Sequence, residues 1–239
     1  MKRDDGTGKG EDEPGRSAVA LGATGAVGRE VVKALLASPA FSQVTILVRR
    51  PLDIPVPDGK RLSQHVLDVF DAAAYEPLLA GHTAAFCTLG LGEPSKVNPA
   101  ELRRVDVGGA EKFAAACRRQ GVSHFSLLTS VGAKAKSSSY YLGIKGEIEA
   151  KVKALGFPRV SFFRPSLLVT PSNRYGALQG WLLKWFPRLE GALVGPLRIY
   201  RSIRVEELGT AMVRNAERTG MGVEILHWPE FKSLLTASP

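Results

Sequence analysis

From residue 18 onward, short runs of consecutive apolar residues alternate with longer segments in which apolar positions recur every three or four residues. A continuous apolar run of four to eight residues suits a strand buried on both faces, and a 3.6-residue period suits a helix packed on one side. The pattern predicts a strand at Ala18–Leu21, a helix at Ala26–Ala37, strands at Val44–Val48 and His65–Leu67, a helix at Ala72–Leu79 and a strand at Ala84–Cys87. Asn98-Pro-Ala-Glu101 then combines an N-cap, a proline at the first helical position and an acid at the third, so a long helix is predicted to run to Arg119. A strand at Val122–Leu128, a helix over Ser139–Leu155 stopped near Gly156-Phe-Pro158, and a strand at Val160–Phe163 follow. This alternation predicts an α/β fold with a doubly wound parallel sheet. Beyond Pro165 the alternation weakens. Helices over Tyr175–Phe186 and Val205–Arg218, a strand at Val223–Leu226 and a last turn or helix at Glu230–Leu235 read as a small C-terminal annex, approximately residues 170–239, folded over the site. Residues 1–16, polar, rich in glycine and mixed in charge, read as a disordered tail ahead of a single domain over 17–239.

The junction of the first strand and helix carries the first chemistry. Gly22-Ala-Thr24-Gly25-Ala26-Val27-Gly28 places three glycines where a strand turns into a helix. Gly22 suits a sharp turn, Gly25 lets backbone N–H groups approach a pyrophosphate, and Gly28 lets the helix pack on the sheet. The positive helix end then favours the phosphate charge, so the chain is read as a dinucleotide binder. Arg49-Arg50 closes the second strand about 20 residues on, where an NAD site places an Asp or Glu for the ribose 2′-OH. Guanidinium forks pair with phosphate, so these arginines select NADP(H) over NAD. Asp68, after the third strand, is read either as an acceptor for the adenine amino group or as a loop cap. Cys87-Thr-Leu89-Gly90 is expected to pass under the cofactor.

The formal net charge is +9, and the tail, with four basic and five acidic residues, does not supply it. The basic residues are spread along the chain, without a recognition helix or aromatic-studded sheet, so no specific nucleic-acid binding is expected. Two cysteines and four scattered histidines argue against disulfides and metal sites; Cys87, Cys117 and His124 read as structural. No 18-residue apolar run exists, so no transmembrane helix is expected, and residues 1–16 carry no signal-peptide pattern. Trp181, Leu182, Trp185 and Phe186 form an apolar stripe, read as core or lid, with peripheral membrane contact as the sharper alternative.

Tyr141 and Lys145 lie one turn apart on one face of a predicted helix, beside its buried stripe of Ile144, Ile148 and Val152. A phenol of pKa ~10 needs its anion stabilised before it serves as an acid or base near neutrality. An ammonium ~4 Å away supplies up to ~4 kcal/mol at an effective dielectric near 20. Such a tyrosine can protonate a carbonyl oxygen during hydride transfer, a contribution of ~10²–10⁴ in rate. Thr129 and Ser130 end the fifth strand, on the side where open α/β sheets bind ligands, and alternate across it; Ser130 is preferred as the hydroxyl that faces substrate.

Read together, these motifs resemble the atypical, extended-like branch of the short-chain dehydrogenase/reductase superfamily, and within it the family of HIV Tat-interacting oxidoreductases with fungal mitochondrial outer-membrane relatives. The resemblance runs from Ser17 to Leu235 and includes Leu47-Val-Arg49-Arg50, Val105-Asp106-Val107, His124-Phe-Ser-Leu-Leu-Thr-Ser130, Tyr141-Leu-Gly-Ile-Lys145-Gly-Glu147 and Phe163-Arg164-Pro165. It implies a Rossmann sheet and NADP(H) contacts at Thr24 to Val27, Arg49, Arg50, Leu89, Gly90, Tyr141, Lys145, Leu168 and Arg174. Tyr141 is the implied proton acceptor. The chain departs from the pattern with Ser166 where the family places glycine, Thr129 as the first of a serine pair, and Val131 where sugar-nucleotide members carry a hydroxyl. The leading expectation is an NADPH-dependent reductase of a small carbonyl compound with Tyr141, Lys145 and Ser130 in the chemistry. The alternative is a cofactor-responsive regulator that binds a protein partner and turns over little. The expected location is cytoplasmic, or alternatively the cytosolic face of the mitochondrial outer membrane.

Overall fold

The computed structural model describes residues 15–91, 97–170 and 190–237. Strand β1 (Arg16–Leu21) leads through the glycine turn into α1 (Ala26–Ala37), followed by β2 (Phe41–Val48) and β3 (Arg61–Val66). Helix α2 (Ala72–Tyr75) tightens into a 3₁₀ turn at Glu76–Leu79, and β4 (Ala84–Cys87) follows. Then come α3 (Pro99–Arg103), a π-helical segment (Arg104–Gly109), α4 (Ala110–Arg119), β5 (His124–Leu128), α5 (Tyr140–Ala154) and β6 (Arg159–Phe163). Short strands β7 (Leu168–Val169) and β8 (Ile203–Arg204) pair with each other, and α6 (Val205–Glu217), β9 (Gly222–Leu226) and α7 (Trp228–Thr236) complete the chain.

Seven strands form one sheet in the order β3-β2-β1-β4-β5-β6-β9, with every neighbouring pair parallel. Side chains alternate across it. Ala18 and Ala20 of β1 join the layer of α1, α6 and α7, built around Val31, Leu35, Leu208, Met212 and Phe231. Val19 and Leu21 join the opposite layer of α4 and α5, built around Phe113, Cys117, Ile148 and Val152. This is the doubly wound parallel sheet that the apolar runs predict. Its strand order reverses between β1 and β4, which opens a crevice at their carboxyl ends.

Three elements differ from expectation for local reasons. The predicted helix Ala72–Leu79 changes to 3₁₀ geometry where Pro77, lacking an N–H, cannot continue the α-helical ladder. The predicted long helix to Arg119 keeps its Asn98 cap, whose side chain accepts from the Ala100 N–H, but passes through the π segment. Strand β3 starts earlier than His65 and ends at Val66, an edge strand too polar and exposed to register as an apolar run. Arg16, assigned to the tail, instead opens β1 and donates to the carbonyls of Ala216 and Glu217. From the annex, β9 joins the main sheet beside β6, and α6 packs in the same layer as α1. The predicted helix Tyr175–Phe186, with Trp181 and Trp185, lies outside the described residues.

Candidate functional site

The crevice floor is set by glycines. Gly22 has φ +90°, and a Cβ there would lie 2.6 Å from the Leu89 nitrogen. A Cβ on Gly28 would lie 2.1 Å from the Gly22 carbonyl oxygen, so β1, α1 and the end of β4 meet closer than any side chain permits. Gly25 is the N-cap of α1 and supplies no side-chain cap, and the first turn carries no acid. Its backbone N–H groups and the positive end of the helix are therefore available to an anion. A cleft of about 160 Å³ beside this turn is lined by Gly22, Thr24, Arg49, Val69, Leu89 and Gly90. A second hollow of about 260 Å³ shares Thr24 and Gly25 and is lined by Arg29, Glu30, Arg50, Pro51, Thr170 and Val205. Arg49 and Arg50, adjacent in sequence, thus line different hollows beside the turn. The cradle fits a dinucleotide: uncapped amides for a pyrophosphate, an apolar wall at Val69 and Leu89, and the guanidiniums of Arg29, Arg49 and Arg50. Asp68 Oδ1 accepts from the Phe70 N–H at 2.9 Å, a loop-capping bond that leaves Oδ2 outside it.

Helix α5 supplies the remaining groups. Ser139 caps it by accepting from the Leu142 N–H, and the helix runs from there with Tyr141 half-buried and Lys145 buried. Lys145 Nζ lies 5.6 Å from the Tyr141 ring centroid and donates to Asp106 Oδ1 at 2.5 Å. Burial opposes the Lys145 ammonium, but its interactions with Tyr141 and with the Asp106 carboxylate outweigh it and hold its pKa above the usual lysine value. The Tyr141 hydroxyl has no hydrogen-bond partner among the described residues. Thr129 and Ser130 do diverge: Thr129 Oγ1 is buried and donates to Glu149 Oε1 at 2.7 Å, while half-buried Ser130 makes only a 3.4 Å contact with the Val131 carbonyl. Glu149 in turn takes the Arg164 guanidinium at the end of β6. Thr129 is therefore committed to the scaffold, and Ser130 is the more weakly held hydroxyl of the two.

A family model described as NAD(P)H-binding matches residues 22–158, from the glycine turn past the end of α5. Protein HTATIP2 of Rattus norvegicus is 35% identical over 208 residues, covering 87% of this chain and 84% of that protein. The chain belongs to the NAD(P)H-binding family that includes HTATIP2. Protein FMP52-1, mitochondrial, of Scheffersomyces stipitis is 34% identical over 155 residues, 64% of this chain and 67% of that protein. Among solved structures, MoeE5 in complex with UDP-glucuronic acid and NAD aligns with a TM-score of 0.66 over 88% of this chain and 75% of that one, at 19% identity. A UDP-N-acetylglucosamine 4-epimerase of Methanobrevibacter ruminantium M1 aligns at 0.65 over 90% and 77%, at 18% identity. These structural likenesses show the fold.

For this member of the HTATIP2 family, the structure gathers the predicted Gly22, Thr24, Gly25, Ala26, Arg49, Arg50, Leu89 and Gly90 around the two hollows. Val27 and Gly28 are buried in the first turn of α1, beneath the cleft. Leu168 lies in β7, packed against the α1 and α6 layer, and Arg174 falls outside the described residues. Two residues enter that sequence reasoning left without a role. Arg29, next to Gly28, lines the hollow that holds Arg50. Asp106, quoted only as part of a motif, is the buried partner of Lys145. An acid between two valines inside a helix was the available signal, since a buried carboxylate demands a partner. No helix among the described residues is long and apolar enough to cross a membrane.

Proposed function

We propose that the protein is an NADPH-dependent oxidoreductase of a small carbonyl compound. The observation that carries this reading is the position of Lys145 against the cleft wall, where a Cβ on Gly90 would lie 3.5 Å from Lys145 Nζ, with Tyr141 one turn away. Bound NADPH supplies a hydride for carbonyl reduction. Tyr141 delivers the proton to the substrate oxygen through its free hydroxyl, Lys145 contacts the ribose and stabilises the phenolate, and Ser130 orients the oxygen. Arg29 and Arg50 in one hollow and Arg49 in the other favour a 2′-phosphate, because no acid from the end of β2 competes for the ribose. NADPH is expected to bind at least tenfold tighter than NADH, a difference of ~1.4 kcal/mol, and Arg49→Ala/Arg50→Ala should lose that preference. Calorimetry with both cofactors decides it; equal affinities end the assignment. In a screen of aldehydes, ketones and quinones, Tyr141→Phe should bind NADPH normally and lose about two to four orders of magnitude in turnover.

A second reading is favoured by the hydroxyls: Thr129 is consumed by Glu149, and Val131 has none. On that reading the protein is a cofactor-responsive regulator with a protein partner and little turnover. Tight NADPH binding with no reduction across the screen would select it. We place the protein in the cytoplasm or, following the mitochondrial designation of its fungal relatives, on the cytosolic face of the mitochondrial outer membrane.

A further inference from the structure

The pair between Lys145 and Asp106 is almost fully enclosed, the two side chains being 7% and 1% exposed. Enclosing two opposite charges costs solvation that their attraction often fails to recover, so such a pair calls for another reason to exist. Its surroundings supply one. Asp106 stands in the π segment between α3 and α4, and π turns inside α-helices occur frequently at functional sites. Its Oδ1 accepts from Lys145, and its Oδ2 accepts from the Leu91 N–H at 3.1 Å. Gly90, a wall residue of the cleft, packs over the pair, since a Cβ there would lie 3.3 Å from Asp106 Oδ1. One carboxylate therefore joins three elements: the π segment that carries it, the α5 ammonium, and the backbone leaving β4.

We propose that Asp106 is a positioning residue that holds Lys145 against the cofactor cleft and, through Leu91, keeps the Gly90 wall in register with it. This rests on the reading of Lys145 as a cofactor-binding residue. The groups facing Lys145 are Tyr141 on its own helix, Asp106 on the π segment, and the Cys87 thiol at the end of β4. Burial pushes that thiol up to about 12, so it stays neutral and offers no replacement charge. Asparagine at position 106 preserves an acceptor for Leu91 and removes the counter-charge. Burial then opposes the ammonium without the Asp106 charge to offset it, and Lys145 sheds its proton at lower pH. Because the folded-state value falls, NADPH binding that depends on the ammonium is lost earlier as pH rises.

The experiment measures NADPH affinity from about pH 6 to pH 10, a span that brackets a depressed lysine, for wild type, Asp106→Asn, Lys145→Met and the double variant. Affinity for 2′,5′-ADP, the adenosine half alone, is measured alongside. Asp106→Asn is expected to weaken NADPH about tenfold at the alkaline end, to move the alkaline limb at least one pH unit toward acid, and to leave 2′,5′-ADP unchanged. Added to Lys145→Met, it should have less than about a twofold further effect, because it acts through the lysine. The double variant removes both charges, so it keeps the test available if Asp106→Asn alone fails to fold: it must then match Lys145→Met. Superimposable NADPH profiles for wild type and Asp106→Asn, or fully additive losses in the double variant, overturn the proposal. If Lys145→Met binds NADPH as wild type does, the cofactor role of Lys145 falls and this inference with it. If only Lys145→Met weakens binding, the inference alone falls.

Discussion

Burial turns His124 into a neutral, structural side chain. Its Nε2 lies 2.7 Å from Ser161 Oγ, in a polar knot where Arg159 and Asn215 both bond Glu224. Desolvation, reinforced by the Arg159 charge, pushes the His124 pKa down to about 3. The unfolded chain therefore binds a proton that the folded protein refuses, from the ordinary histidine range down to that value. Stability from this residue is complete above the unfolded pKa of 6.5 and drains away as pH falls toward 3. Between pH 7 and pH 4.5, wild type should lose about 2–3 kcal/mol more than His124→Gln, at 1.36 kcal/mol per pH unit. Urea denaturation of both proteins at the two pH values measures it; parallel losses would exclude the histidine as the cause. The knot joins β5, β6 and β9 at the end of the sheet opposite the crevice, which is why His124 takes no part in the proposed chemistry.

Among the links that hold helix α5, one carboxylate ties it to the sheet at the crevice. Glu149 accepts from Thr129 at the end of β5 and from the Arg164 guanidinium at the end of β6, so the helix is pinned to two strands just where they open the crevice. Tyr141 and Lys145 ride on the same helix, one to two turns before the pin. Removing one member of a largely buried ion pair leaves the other uncompensated, at a cost of about 3–5 kcal/mol. Glu149→Ala should therefore lower the melting temperature by roughly 6–20 °C, at about 2–4 °C per kcal/mol for a chain of this size. Thr129→Val, which removes a single hydroxyl and leaves the ion pair, should cost about 1 kcal/mol. Scanning calorimetry on both variants checks the ranking, and a harmless Glu149→Ala would show that the remaining contacts of the helix suffice to hold it.

At the scale of the whole molecule, cofactor and fold are linked. The crevice draws walls from β1, β2, β4 and α1, with Thr170 and Val205 closing the second hollow, so a bound dinucleotide braces segments from most of the chain. A ligand present at 100 times its Kd stabilises the native state by about 2.7 kcal/mol. NADPH at that level should raise the melting temperature by about 5–10 °C. NADH at the same concentration, binding tenfold more weakly, should supply only about half of that free energy. Thermal shift with both cofactors tests this, and identical shifts would count against the 2′-phosphate role of Arg29, Arg49 and Arg50.

What the sequence determined by itself is everything that depends on local order. Apolar runs and helical periods define the strands and helices of the sheet, because those patterns reflect which face of each element is buried. Gly22, Gly25 and Gly28 announce the turn, since glycine spacing reports backbone geometry directly. The family motifs extend that reading to the level of NAD(P)H binding. What only the tertiary structure decided is how distant side chains are spent. It placed Arg50 with Arg29 in one hollow and Arg49 in another, bonded Thr129 to Glu149, and turned one Asp68 oxygen to the Phe70 N–H. It also brought β9 into the sheet beside β6 and set Asp106 against Lys145, 39 residues apart in the chain. The physical reason is common to all of these. Burial in a strand or helix is encoded in neighbouring residues, whereas the partner of a charge or hydroxyl depends on which elements the packed core brings within hydrogen-bond distance.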